Sequence, residues 1–183
     1  MKEINTIFKD AFILEPKAFE DHRGFFMESY NAKVFEELEL KFEFIQDNHS
    51  LSVESGTLRG MHYQLEPYAQ TKLVRVVRGA IYDVIVDIRK GSPTYGQWQG
   101  FILSEDNKRQ LLVPKGFAHG FCTLVNNTEV IYKVDNYYSA EHDRGIAWND
   151  PDLNIDWPTS NPILSEKDTN HPNLKDADNN FVY

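Results

Sequence analysis

The chain has 183 residues, 41% of them hydrophobic and 13% aromatic, and a formal net charge of -9. This length and apolar content suit one domain over residues 1–183 and exclude a disordered chain, and the acidic balance argues against general nucleic-acid binding while leaving local Lys/Arg clusters suited to a phosphorylated small molecule. No apolar run approaches the ~18 residues of a membrane span, MKEINTIFKDAFILEP lacks a signal-peptide core, and the one cysteine, Cys122, excludes a disulfide framework, so a reducing, cytoplasmic setting without membrane is expected. In chain order, strands are predicted at AFILEP (11–16) and FFMESY (25–30), then a short helix at NAKVFEELEL (31–40), where Val34, Phe35 and Leu38 recur at helical spacing. Strands follow at EFIQDNHS (43–50), LRGMHYQ (58–64), LVRVV (73–77) and AIYDVIVDI (80–88), the last two joined by a tight Arg78-Gly79 turn. GQWQGFIL (96–103), RQLLVP (109–114), AHGFCTLV (118–125) and EVIYKVDNYY (129–138) complete the set. From about residue 150 a Pro-, Asn- and Asp-rich tail reads as an ordered irregular segment. The pattern is mainly β, a sandwich or barrel with one N-terminal helix.

LRGMHYQ places Arg59 and His62 in an otherwise apolar strand, where burying either costs several kcal/mol unless it is paired or used. Their odd separation would send them to opposite faces under strict alternation. A bulge at Gly60 would bring both into one cavity; the alternative is an outer-face salt bridge for Arg59. Asp83 shares a face with Ile81 and Ile85 and is expected to partner a buried cation.

PKGFAHGF (114–121) resembles the second signature of cupin jelly rolls, whose histidine commonly binds a metal. The first cupin signature supplies His-x-His and a Glu, whereas this chain has His62-Tyr63-Gln64, and the position four after His119 is Thr123. Two histidines without a third ligand make a weak metal site, so a cupin-type jelly-roll barrel without metal is expected, its histidines free for proton transfer.

DHRGFFMESY (21–30), FIQDNHS (44–50), GTLRGMHYQ (56–64), QTKLVRVVRGAIYDVIVDIRKGSPTYGQW (70–98), VPKGFAHGF (113–121), VIYKVDNYYSAEHDRGIAWNDP (130–151) and LSEKD (164–168), in this order, resemble the dTDP-4-dehydrorhamnose 3,5-epimerases over nearly the whole chain. The resemblance implies a homodimer that uses no cofactor and acts on a 4-keto-6-deoxyhexose carried by thymidine diphosphate. Carbons 3 and 5 of such a sugar flank the carbonyl, so removing either proton gives an enolate, and reprotonation on the opposite face inverts the centre. That chemistry requires a base, an opposed acid and a cation at the oxygen that becomes charged. By the resemblance, His62 is the base, Tyr132 the acid, Asp168 the carboxylate that orients the histidine, and Lys72 the cation near carbonyl or phosphate. Arg23, Arg59, His119 and Lys167 match substrate-binding positions, with Glu28, Gln46, Asp47 and Asn48 as polar contacts and Tyr138 as the stacking partner of the thymine. Asp143 stands where the family pattern has glutamate, and the shorter arm puts direct contact there in question. Three readings stand at this point: the 3,5-epimerase of dTDP-L-rhamnose biosynthesis, an epimerase of carbon 3 or carbon 5 alone, and a non-catalytic sugar-nucleotide-binding cupin.

Overall fold

The computed structural model describes residues 1–183. In chain order the elements are β1 (Lys2–Asn5), β2 (Phe12–Glu15), β3 (Ala18–Asp21), β4 (Gly24–Met27), α1 (Ala32–Glu37), β5 (Gln46–Ser52), β6 (Leu58–Gln64) and β7 (Lys72–Arg78). Then come β8 (Ala80–Asp87), β9 (Trp98–Ser104), β10 (Gln110–Val113), β11 (Phe117–Thr123), β12 (Thr128–Val134) and β13 (Asp143–Gly145). The predicted strands are present with shifted ends; β12 stops at Val134, which leaves Tyr137 and Tyr138 on a loop. The helix is shorter than its sequence pattern, starting at an Asn31 cap whose side chain accepts from the Lys33 and Val34 amides, and burying Phe35.

Two antiparallel sheets face each other, a six-stranded one ordered β1-β2-β10-β7-β12-β5 and a five-stranded one ordered β13-β6-β11-β8-β9. This is the cupin-type jelly roll, with the sheet edges left open rather than closed by hydrogen bonds. Alternation along each strand explains its layers. Val74, Val76, Leu111 and Val130 from one sheet meet Ile81, Ile85, Leu103 and Phe121 from the other in the central core. Each such fully buried side chain contributes ~1.5–3 kcal/mol. The outer face of the six-stranded sheet, through Leu14, Leu73 and Leu112, takes Phe35 of the helix. The outer face of the five-stranded sheet, through Met61, Tyr63, Val84 and Val86, is covered by Ile146, Leu153 and Phe181. The irregular tail is therefore a packed strap, held by Trp98 donating to the Leu153 carbonyl and Tyr63 donating to that of Asp178.

The tight turn expected at Arg78-Gly79 is present and joins β7 to β8, which lie in different sheets, so it is the corner where the chain crosses between them. Glycine is required there, at φ +80° with the Thr128 hydroxyl 2.6 Å from where a Cβ would sit.

The inferred bulge in β6 is present. His62 pairs with His119 of β11 and Arg59 with Phe121, so three steps along β6 match two along its partner. Gly60 supplies the extra residue at φ +139°, so close to β11 that a Cβ would come within 2.4 Å of the Gly120 Cα. Arg59 and His62 consequently face the same cavity.

Candidate active site

The cavity lies between the sheets, has a volume of about 240 Å³, and is lined by Arg59, His62, Lys72, His119, Tyr132 and Asp168 together with Ser50, Phe121 and Ser165. His62 comes from the five-stranded sheet and Tyr132 from the six-stranded one, so the two proton-transfer candidates stand on opposed walls.

The strap delivers Asp168 to His62 from far along the chain, with Oδ1 at 2.5 Å from Nε2. Burial alone would raise the Asp168 pKa, but the polar neighbours His171, His62 and Ser165 prevail and hold it far below the usual carboxylate range. An ionised carboxylate only accepts, so Nε2 donates and Nδ1 is left as the free ring nitrogen. Burial lowers the His62 pKa, opposed by Asp168 and assisted by Lys72 and Lys167, which keeps the ring neutral and basic near pH 7. Ser165, unpredicted, completes the support: its hydroxyl donates to Asp168 Oδ2 at 2.7 Å and accepts the Asp168 amide.

Tyr132 packs against the central core. Burial raises its pKa, only partly offset by Arg59, so the phenol stays a proton donor. Lys72 opens β7 beside these groups. Its amine makes no protein hydrogen bond, and burial lowers its pKa to about 8 against the attraction of Asp143 and Asp83. It remains mostly a cation at neutral pH and is free to meet a negative oxygen. His119 Nε2 lies 2.6 Å from Asp83 Oδ1, so the buried neighbour of this aspartate is an imidazole where a cation was expected.

The rim carries the remaining groups. Arg59 spans to the opposite sheet, donating to Ser52 Oγ at 3.2 Å and to the Leu51 carbonyl. Tyr138 presents a 63% exposed ring, and its hydroxyl donates to Asp143, which also pairs with Lys167. Gln46 and Asn48, hydrogen-bonded to each other at 2.9 Å, share the face of Ser50, which lines the cavity. Asp47 does not: alternation turns it outward, where it pairs with Lys133 at 2.9 Å. Arg23 and Glu28 also lie outside this chain's cavity. Arg23 sits at the turn of the β3–β4 hairpin and pairs with Asp21 at 2.5 Å, while Glu28 accepts from the Asn31 side chain.

The cupin metal set does not fit these residues. His62 and His119 are each tied to their own carboxylate. Gln64 is committed to the carbonyls of Tyr68 and Tyr137 and to the Ser139 amide, and Thr123 to the Glu54 carbonyl and the Thr57 amide.

A neutral imidazole and a phenol facing each other across a cation-lined cavity suit proton transfer next to an anionic substrate, which places this jelly roll among the cupin-type epimerases. The chain belongs to the dTDP-4-dehydrorhamnose 3,5-epimerase family, whose model matches residues 5–176. It is 59% identical to the dTDP-4-dehydrorhamnose 3,5-epimerase of Shigella flexneri over 97% of this chain and 98% of that protein. The crystal structure of the Bacillus anthracis dTDP-4-dehydrorhamnose 3,5-epimerase with TDP and pyrophosphate bound superimposes with a TM-score of 0.93 at 63% identity, covering 94% of this chain and 98% of that one. That of the Legionella pneumophila enzyme in complex with dTDP-4-keto-L-rhamnose gives 0.92 at 49% identity, covering 97% and 94%.

Proposed function

We propose that this chain is an isomerase that converts dTDP-4-dehydro-6-deoxy-D-glucose to dTDP-4-dehydro-L-rhamnose, within dTDP-L-rhamnose biosynthesis in the cytoplasm. The observation that carries the reading is the placement of the His62–Asp168 pair and Tyr132 on facing sheets of one cavity, with Lys72 beside them. His62 Nδ1 removes the proton from carbon 5 or carbon 3. The electron pair moves onto the 4-keto oxygen, where Lys72 meets the charge, and Asp168 stabilises the imidazolium. Tyr132 returns a proton to the other face, and the enolate collapses to the inverted ketone. The diphosphate is held by Arg59, His119 and Lys167, and the thymine stacks on the exposed ring of Tyr138, a contact worth ~1–3 kcal/mol. Gln46 and Asn48 extend the polar wall. Asp143 acts through Tyr138 and Lys167, holding both at the rim.

A homodimer belongs to the same reading. The β3–β4 hairpin exposes Phe19, Phe25 and Phe26, the last at 69%, which is more apolar surface than a lone monomer is expected to show in one element. Arg23 on this hairpin then serves the neighbouring subunit's site. A fully active monomer in sedimentation would remove this part of the proposal.

The test of the reaction is deuterium wash-in from D₂O with the 4-keto sugar nucleotide. Label at both carbons in the product supports the 3,5-epimerase. Label at one carbon overturns it in favour of a monofunctional epimerase, and none in favour of a binding protein.

A further inference from the structure

His171 enters the reaction described above only by helping to hold Asp168 ionised, and its position is unusual. The ring packs over Gly145 so closely that a Cβ there would come within 2.4 Å of it, and the side chain is only 9% exposed. Its Nε2 is buried and makes no hydrogen bond. It lies 3.5 Å from Asp168 Oδ1, beyond ordinary N–H···O range. A buried imidazole nitrogen without a partner is costly and calls for an explanation. Here it faces a carboxylate that already holds a second imidazole, so that His62, Asp168 and His171 bring three ligand-type atoms within 4.8 Å of one another.

We propose that His62, Asp168 and His171 form an inhibitory site for a Zn²⁺-class divalent ion, which on binding takes the base out of use. Two imidazoles and a carboxylate are a zinc donor set, with bonds of ~2.0–2.2 Å, and a fourth position remains for water. The ion reaches the site through the cavity, which His62 and Asp168 both line. It takes the place of the Nε2 proton that Asp168 now accepts. Neutral His62 then carries its one ring proton on Nδ1, the nitrogen whose lone pair abstracts the substrate proton. Metal binding and proton abstraction therefore exclude each other, with no net proton released by the ring. The cupin histidine His119 stays on Asp83 and takes no part. That His62 is the base rests on the proposed reaction; that the three side chains bind metal does not.

The experiment titrates chelator-treated protein with Zn²⁺ while turnover is followed, and with Co²⁺ while visible d–d absorption is recorded. It is repeated with His171→Asn and His171→Gln. The expected result is loss of turnover at one Zn²⁺ per chain, recovery with chelator, and a Co²⁺ band of low-coordinate intensity. Both variants, each referred to its own metal-free rate, should need at least about tenfold more Zn²⁺ for half-inhibition and should lose the band. Unchanged zinc sensitivity in both variants, or no cobalt band in the parent protein, overturns the site. A cobalt band that depends on His171 while turnover is unaffected by either ion supports the metal site and overturns its link to the base.

Discussion

Replacing Tyr132 by phenylalanine separates the two halves of the reaction. The ring packs against the central core and its hydroxyl has no protein partner, so the change leaves no orphaned group and should alter stability by less than about 1 kcal/mol. His62 stands on the opposite sheet with its own support from Asp168, so enolate formation is untouched. Losing a general acid costs ~10²–10⁴-fold, or ~3–5 kcal/mol of barrier, and that loss falls on inversion alone. His62 can still return a solvent-derived proton to the original face. Incubation in D₂O, with recovered substrate and product analysed by NMR, should therefore show deuterium in unreacted substrate while inverted sugar is scarce. Near-normal epimerisation by Tyr132→Phe would refute the assignment and make another group or a water the donor.

Tyr138→Ala should weaken substrate binding by the stacking energy, raising KM about 5- to 150-fold with kcat little changed, because a remote base is bound alike in ground and transition states; a large fall in kcat alone would move Tyr138 into the chemistry. The pH profile of kcat/KM, measured in chelator, should be bell-shaped. His62 must be neutral, and burial lowers its pKa from 6.5, so the acid limb falls below that pH; Lys72 must be charged, so activity declines as pH rises through about 8. A basic limb near the ordinary lysine value would contradict the environment assigned to Lys72. Gly60→Ala should destabilise the fold by ~2–6 kcal/mol in chemical denaturation, summing backbone strain and overpacking, because alanine meets both φ +139° and the Gly120 backbone; a neutral result would mean that the bulge is dispensable.

The amino-acid sequence carried most of the strands, though not β1, β3 or β13, and it carried the shared cavity of Arg59 and His62, because an odd spacing around a glycine has few structural solutions. It also carried the tight turn between β7 and β8, but not their placement in different sheets: a turn between β-branched runs is a local signal, whereas the choice of sheet depends on partners elsewhere in the chain. Asp47 could have been turned outward from the sequence alone, since period two separates it from Gln46 and Asn48. Asp168 could not be placed by any local rule, being 106 residues from His62, and came only through resemblance. Ser165 carried a faint signal, a serine three residues before an aspartate in LSEKD, a spacing typical of local side-chain turns. His171 carried none, because its position is set by how the strap folds over Gly145.

The central claim is that His62 begins each inversion, and solvent exchange in His62→Ala tests it most directly. With the 4-keto sugar nucleotide in D₂O, the variant should lose both deuterium incorporation and epimerised product by ~10²–10⁴-fold relative to the parent protein. Exchange at carbon 3 or carbon 5 persisting at the parent rate would contradict the account and place the base elsewhere in the cavity.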